Sequence, residues 1–307
     1  MLKKNWLNAL HGFDHQALTE TVDGLCAEYP FLQYRYLGTS ILGRGIPLLS
    51  LGSGKRAVLY VGAHHGMEWI TSILLCHFTD DLCQAYKKGT AICRISVNAL
   101  LQAYTVFIIP MLNPDGVEYQ IHGVNEDHPL YDRLLTMNGG STDFSHWQAN
   151  ARGVDLNHNY NAGFWEYKIL EKEHVIPCGA PTRYSGEAPE SEPETAALCN
   201  FIRFHTSLCG VMTLHTQGEE IFYQSAGGCP KKTEQVAKKL AEISGYRLST
   251  ADGLASYGGL SDWCLQKAGL SSFTIECGKG TNPLPLQDHF MIYSTLKKAL
   301  FAFPSLL

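Results

Sequence analysis

Short apolar segments alternate with longer amphipathic segments along the chain. The apolar segments are rich in β-branched and aromatic residues, which is typical of buried strands, and they lie at 57–62, 103–112, 210–216 and 270–277. Apolar residues near helical spacing predict a helix at 68–86. Acids in a first turn predict a helix at 190–205, and Pro at the start with Gly at the end predicts one at 230–245. This alternation predicts an α/β fold with a mixed, mostly parallel, twisted sheet and helices on both faces.

One long segment interrupts the alternation. Residues 113–190 are rich in Gly, Asn, Asp, His and Pro and show little periodicity. A loop system of this length inside a compact domain is usually functional. We find neither an internal repeat nor a Gly/Ser/Pro linker, so the sequence predicts a single domain over residues 1–307.

The composition narrows the class of protein. The chain is 45% hydrophobic and 17% charged, with a formal charge of −5, which gives no electrostatic reason to expect nucleic acid or an anionic membrane as a partner. The 10 cysteines form no Cys-x-x-Cys pair and are interpreted as reduced thiols. A basic pair near the N-terminus is not followed by an apolar signal-peptide core, so we expect a cytoplasmic protein.

Candidate metal ligands come from His-x-x-acid pairs, of which composition alone predicts roughly one by chance. The sequence holds three, at His11/Asp14, His65/Glu68 and His77/Asp80. The first lies in a polar N-terminal stretch and the third lies inside a predicted helix. The second follows a buried strand, where open α/β sheets place their ligand sites.

Zinc suits this second pair, because Zn²⁺ accepts imidazole and carboxylate ligands. His64 competes as the ligand, but only His65 has an acid three residues later. A catalytic zinc ion needs a third protein ligand, and His215 ends another predicted strand. Glu276 lies near the end of a third strand among apolar neighbours, where a buried carboxylate requires a partner.

Six motifs in order resemble the M14 family of zinc carboxypeptidases across most of the chain: "GTSILGRGIPLLSLG", "HHGME", "NPDG", "GVDLNHN", "LHTQG" and "GGLSDWCLQKAGLSSFTIE". The resemblance implies the zinc carboxypeptidase fold and one zinc ion bound by His65, Glu68 and His215. It implies that Glu276 is the general base and later proton shuttle, acting on metal-activated water. Asp155 would accept a hydrogen bond from the His65 ring and fix its tautomer.

Residues at the expected substrate-binding positions differ from the family pattern. The Asn-Arg pair that grips a terminal carboxylate is Asn157-His158 here, and histidine is a weaker, pH-dependent anchor. The arginine that stabilises the oxyanion is matched by Gln148, and Arg152 nearby is the alternative. The sequence leaves the choice between these two open.

The pocket segment differs as well. The mobile tyrosine of the family falls on Leu254, and Tyr257 is a substitute from the same loop. The pocket floor is Ser261, which is neither the large apolar residue of an aromatic-selective enzyme nor an acid for basic side chains.

Residues 147–166 and 179–195 look most like a bacterial branch of the family, the γ-D-glutamyl-meso-diaminopimelate peptidases, which cut cell-wall stem peptides. Arg183, Tyr184 and Glu187 lie in the loop that would recognise the diamino acid. The hypothesis is a zinc peptidase that hydrolyses the γ-D-glutamyl–meso-diaminopimelate bond of peptidoglycan stem peptides by metal-activated water. The alternatives are a metallo-carboxypeptidase or N-acyl amino-acid amidase for another small polar substrate, and a non-catalytic zinc-containing binding protein. The oligomeric state stays open.

Overall fold

The computed structural model describes residues 12–307, so His11 and the basic N-terminal pair lie outside the described residues. The strands are β1 (Gln33–Thr39), β2 (Gly45–Leu51), β3 (Arg56–Val61), β4 (Ala91–Ile92), β5 (Ile95–Ser96), β6 (Tyr104–Ile109), β7 (Leu208–His215), β8 (Glu220–Phe222), β9 (Arg247–Ser249) and β10 (Ser271–Glu276). The helices are α1 (His15–Glu28), α2 (Ile70–Lys88), α3 (Val97–Ala103), α4 (Pro114–His122), α5 (Tyr131–Met137), α6 (Phe164–Glu173), α7 (Pro193–Phe204), α8 (Lys231–Ser244), α9 (Leu260–Trp263) and α10 (His289–Leu306).

Eight of the strands form one mixed sheet in the order β1-β2-β6-β3-β7-β10-β8-β9, and β4 and β5 form a separate hairpin. The pairs β6/β3, β3/β7, β7/β10 and β8/β9 are parallel, whereas β1/β2, β2/β6 and β8/β10 are antiparallel. The predicted α/β class with a mixed, mostly parallel sheet is confirmed.

Both faces of the sheet are covered by helices, as the alternation of side chains along β3 shows. Val58 and Tyr60 pack into a core that also holds residues of α2 and α10. Ala57, Leu59 and Val61 pack into a second core that holds residues of α7 and α9. Because successive residues of a strand point to opposite faces, an unbroken apolar run indicates a strand buried on both sides.

The segment 113–190 contains three helices, α4, α5 and α6, joined by irregular stretches. Asn113 caps α4 by accepting a hydrogen bond from the Gly116 N–H at 3.0 Å, and Pro114 occupies the first helical position. "NPDG" is typical of a turn, but the same residues start a helix when Asn is the cap. Because the segment is polar and lacks clear periodicity, the sequence predicts a loop system where the structure has three helices.

None of the helices in the described range combines the length and apolar character needed to cross a membrane. All 10 cysteines lie in this range as free thiols, and five are buried: Cys76, Cys83, Cys199, Cys264 and Cys277.

Candidate active site

Polar side chains from three strands meet at one edge of the sheet. β3, β7 and β10 are adjacent and parallel, so their carboxyl ends lie side by side. His215 ends β7, and Glu276 ends β10 directly opposite it in the strand pairing. His65 and Glu68 follow β3 at the start and end of a 3₁₀ turn. This edge is where open α/β sheets bind ligands.

Three of these side chains bring their ligand atoms together. His65 Nδ1 lies 2.9 Å from Glu68 Oε1, and His215 Nδ1 lies 3.0 Å from Glu68 Oε2. The two Nδ1 atoms are 3.3 Å apart, and the ligand atoms of all three residues lie within 4.8 Å of one another. Two imidazoles and one carboxylate form a donor set of catalytic zinc sites.

A buried atom without a hydrogen bond supports a cation at this position. Glu68 Oε2 is buried, and its 3.0 Å contact with His215 Nδ1 lacks the geometry of a hydrogen bond; no other residue of the range 12–307 donates to it. Such an oxygen costs free energy unless a proton or a metal ion satisfies it. The three residues therefore fit the zinc ion that their chemistry implies.

The charges of the cluster depend on one another. Burial alone raises the pKa of Glu68, but His65 and His215 outweigh it and lower this pKa to about 2. Burial alone lowers the pKa of His65, but Glu68 and Asp155 raise it well above its usual value. Metal ions and protons compete for the same imidazole nitrogen, so a divalent cation would displace this proton.

Asp155 lies behind His65, on the side away from Glu68. Its Oδ1 is 3.1 Å from His65 Nε2, and its Oδ2 accepts a hydrogen bond from the Arg183 N–H at 2.9 Å. Burial opposes its ionisation, but the neighbouring His65 and His158 lower its pKa. A proton on His65 Nε2 donated to Asp155 leaves Nδ1 as the ligand atom.

The ligand turn is held against the following loop. The Gly66 N–H donates to the Gln148 carbonyl at 2.9 Å, and a Cβ on Gly66 would lie 2.3 Å from the Gly116 carbonyl oxygen. Asn113 Nδ2 donates to the carbonyls of His64 and Gln148, both at 3.0 Å. This approach requires glycine and fixes where His65 begins the turn.

His64, the competing ligand, lies outside the cluster. Its Nε2 is 3.0 Å from the Tyr160 hydroxyl, and its Nδ1 is 3.3 Å from the Thr213 hydroxyl. Its ring stacks on His215 with centroids 5.1 Å apart, and burial lowers its pKa well below the usual value. His64 is therefore a neutral packing partner of His215.

Glu276 lies beside the cluster and lines the pocket in front of it. Burial and the negative charge of Glu68 raise its pKa well above the usual value for glutamate. A carboxylate with a raised pKa next to a metal centre is suited to take up and return a proton.

A pocket of about 520 Å³ opens in front of these residues, a size that suits a small ligand. Of the predicted substrate-binding residues, four line it: Gln148, Asn157, His158 and Ser261. Arg152 and Tyr257 do not. Leu254, at the position of the family's mobile tyrosine, also lines it, as do Thr182, Arg183, Asp252, Asp262 and Thr274.

Gln148 and Arg152 differ in their partners. The Gln148 Oε1 atom accepts a hydrogen bond from the Thr182 hydroxyl, and within residues 12–307 its amide nitrogen has no acceptor, so it can act as a donor in the pocket. The Arg152 guanidinium is half-exposed and lies 3.6 Å from Glu192. The geometry favours Gln148 over Arg152 as the polar group near the candidate metal ligands.

His158 is held as an uncharged ring. Its Nδ1 donates to the Tyr257 carbonyl at 2.9 Å, and its ring lies flat on Tyr167, with centroids 4.0 Å apart and planes inclined by 9°. Burial lowers its pKa, although Asp155 partly opposes this. Asn157 beside it accepts a hydrogen bond from the Leu260 N–H at 3.2 Å.

The part of the pocket lined by Ser261, the residue at the predicted floor position, is polar. The Ser261 hydroxyl lies 2.9 Å from the Thr274 hydroxyl and accepts a hydrogen bond from Ser272 at 3.1 Å. Asp262 lines the same pocket, and burial raises its pKa to about 6. The floor therefore offers hydroxyl groups and a carboxylate rather than an apolar surface.

The loop that contains Tyr257 turns its tyrosine ring away from the pocket. This ring lies against Gly163, where a Cβ would come within 2.4 Å of it. In the recognition loop, Arg183 lines the pocket, Tyr184 is buried under the Lys168 ammonium, and Glu187 is exposed outside it.

Sequence reasoning did not identify Thr182, Tyr167 or the supporting role of Asn113. "NPDG" contained the signal for Asn113, because Asn before Pro is a strong helix cap. Thr182 and Tyr167 carry no local signal, since only the folded chain brings them to Gln148 and His158.

Comparison with known proteins agrees with this geometry. The model of the Peptidase_M14 family, described as zinc carboxypeptidase, matches residues 18–298. The chain is 33% identical over 288 residues to γ-D-glutamyl-L-diamino acid endopeptidase 1 of Lysinibacillus sphaericus, covering 94% of this chain and 71% of that protein.

Solved structures share the fold. Thrombin-activatable fibrinolysis inhibitor superposes with a TM-score of 0.73 at 20% identity, covering 95% of this chain and 73% of that one. Murein-tripeptide amidase MpaA from Escherichia coli O157 superposes with a TM-score of 0.56 at 21% identity, covering 88% of this chain and 91% of that one.

Proposed function

The chain belongs to the zinc carboxypeptidase family and is a metallopeptidase, and we propose that it hydrolyses the bond between γ-D-glutamate and meso-diaminopimelate in peptidoglycan stem peptides. The polar floor of the pocket carries this proposal. Diaminopimelate ends in an amino and a carboxyl group, and Ser261, Thr274 and Asp262 offer hydrogen bonds and a negative charge at that depth. The name of the Lysinibacillus sphaericus relative supports the same class of bond.

We propose that one zinc ion binds His65 Nδ1, the Glu68 carboxylate and His215 Nδ1. When bound, zinc polarises a carbonyl group and lowers the pKa of water to about 7. Asp155 holds the His65 ring so that Nδ1 faces the other two ligands.

The other residues position the substrate and move the proton. Glu276 takes a proton from the attacking water and returns it to the amino nitrogen of diaminopimelate as the C–N bond breaks. The Gln148 amide nitrogen donates a hydrogen bond to the oxygen that gains negative charge. The products are the dipeptide L-Ala-γ-D-Glu and free diaminopimelate.

The test is hydrolysis of L-Ala-γ-D-Glu-meso-diaminopimelate by the zinc-loaded protein, followed by mass spectrometry. A blocked dipeptide with a free terminal carboxylate is assayed in parallel. We expect cleavage of the tripeptide only. Cleavage of the dipeptide alone would identify an ordinary carboxypeptidase and overturn the proposal. No cleavage of either, with zinc bound, would favour the amidase or the non-catalytic alternative.

A further inference from the structure

Arg183 is fixed in the pocket wall by both of its backbone polar groups. Its N–H donates to Asp155 Oδ2 at 2.9 Å, and its carbonyl accepts a hydrogen bond from the Tyr167 hydroxyl at 3.0 Å. Its φ is +68°, a conformation that non-glycine residues rarely adopt. Backbone strain of this kind is retained where the surroundings impose it, often at functional sites.

The guanidinium group of Arg183 is available to a ligand. The side chain is exposed and lines the pocket, and no residue between 12 and 307 forms an ion pair with it. Three other arginines are instead paired with carboxylates of the protein: Arg44 with Asp115, Arg203 with Glu190 and Arg247 with Glu220.

No other lysine or arginine of the described chain lines this pocket. Its remaining ionisable groups beyond the metal ligands are the carboxylates Asp155, Asp252, Asp262 and Glu276 and the neutral His158. Beyond the metal ligands, a substrate carboxylate entering here therefore meets one cationic side chain among the described residues, the Arg183 guanidinium. Guanidinium suits this role, because its planar fork matches a carboxylate with two parallel hydrogen bonds.

We propose that Arg183 is the specificity-determining residue that binds a carboxylate of the diamino acid on the leaving side of the scissile bond. The location supports this side: Tyr167 joins the Arg183 carbonyl to the His158 ring, and His158 and Asn157 line the same pocket as Ser261. Arg183 thus supplies the charge that His158 lacks. This assignment rests on the proposed function.

The experiment compares Arg183→Met with a matched control, Arg94→Met. Arg94 is also exposed with a positive φ of +67°, but it lies in the turn between β4 and β5. Substrates are the tripeptide, an analogue with both diaminopimelate carboxylates converted to amides, and an analogue with only the glutamyl carboxylate converted. For Arg183→Met we expect KM for the tripeptide to rise about 10- to 100-fold with little change in kcat.

For the analogue with diaminopimelate amides, Arg183→Met should have the same KM as wild type. For the analogue with the glutamyl amide, the substitution should raise KM as much as it does for the tripeptide. Arg94→Met should behave like wild type. An equal KM increase for all three substrates, or one that disappears only with the glutamyl amide, would overturn the assignment. So would an unchanged KM for the tripeptide.

Calorimetric binding of free meso-diaminopimelate separates this inference from the proposed function. We expect wild type and Arg94→Met to bind it and Arg183→Met to bind it about 10-fold or more weakly. If wild type binds free diaminopimelate more tightly than Arg183→Met does but cleaves no tripeptide, the proposed function fails and the role of Arg183 in binding the carboxylate is retained. If wild type does not bind free diaminopimelate, or Arg183→Met binds it equally well, the proposed role of Arg183 is wrong.

Discussion

Two buried polar regions of the molecule differ in whether the protein itself supplies hydrogen-bond partners for their polar atoms. Around Asn159, other residues of the protein supply all the partners. Asn159 Nδ2 donates to the carbonyls of Ser185 and Ala188 and to the Ser191 hydroxyl, and Oδ1 accepts from the Glu192 N–H and the Thr195 hydroxyl. At the edge of the sheet, Glu68 Oε2 lies 3.0 Å from His215 Nδ1 but has no contact of hydrogen-bond geometry within residues 12–307.

This difference distinguishes a structural region, around Asn159, from a ligand-binding region, at the edge of the sheet. A polar network whose members are all satisfied stabilises one arrangement of loops. A cluster with a buried polar atom that lacks a hydrogen-bond partner can instead obtain that partner from a bound ligand. We therefore expect changes in the Asn159 region to reduce stability and changes at the sheet edge to reduce metal binding or turnover.

The largest expected effect is at Glu276. Glu276→Gln removes the proton acceptor, so kcat for the tripeptide should fall roughly 10²- to 10⁴-fold while zinc binding is retained. Steady-state kinetics and metal analysis measure the two quantities. Glu220→Gln is the control, because Glu220 lies opposite Glu276 on β8 but its carboxylate pairs with Arg247. Undiminished turnover in Glu276→Gln would refute its role as the base.

The scaffold should respond in the opposite way. Asn159→Ala leaves several buried donors and acceptors without partners and should lower the free energy of unfolding by on the order of 3 kcal/mol. Urea denaturation of the zinc-free protein measures this. Asn200→Ala on the exposed side of α7 should change it by less than about 0.5 kcal/mol. Equal stability of the two variants would show that the Asn159 network is not a scaffold.

A smaller, pH-dependent effect is expected at Glu194, near the start of α7. Burial, with the charges of Asp115 and Glu192, raises its pKa to about 8. Because the unfolded chain ionises Glu194 at lower pH than the folded chain, its contribution to stability is lost as the pH rises from about 4.5 to 8. Glu194→Gln should therefore gain on the order of 4 kcal/mol relative to wild type at pH 8 and little at pH 4.

Thermal or urea unfolding across this pH range tests that expectation. Glu234→Gln is the control, because Glu234 holds a similar first-turn position in α8 but is paired with Lys238. A difference between Glu194→Gln and wild type that does not change with pH would mean that Glu194 is ionised in the folded protein.

How much the sequence predicts depends on which contacts decide the outcome. The buried strands and the placement of His65, His215 and Glu276 at their ends follow from local apolar patterns, because parallel strands share one edge. The stack of Tyr167 on His158 and the exposure of Arg183 to the pocket depend on distant segments meeting. No local pattern encodes such contacts.

Zinc titration of three proteins tests the contrast most directly: wild type, His215→Ala and Asn159→Ala. Calorimetry should show one tight zinc ion per chain in wild type and in folded Asn159→Ala, and a large loss of affinity in His215→Ala, whose folding is checked by circular dichroism. Equal zinc affinity in wild type and His215→Ala, or no zinc binding by wild type, would contradict the assignment of the sheet edge as a metal centre.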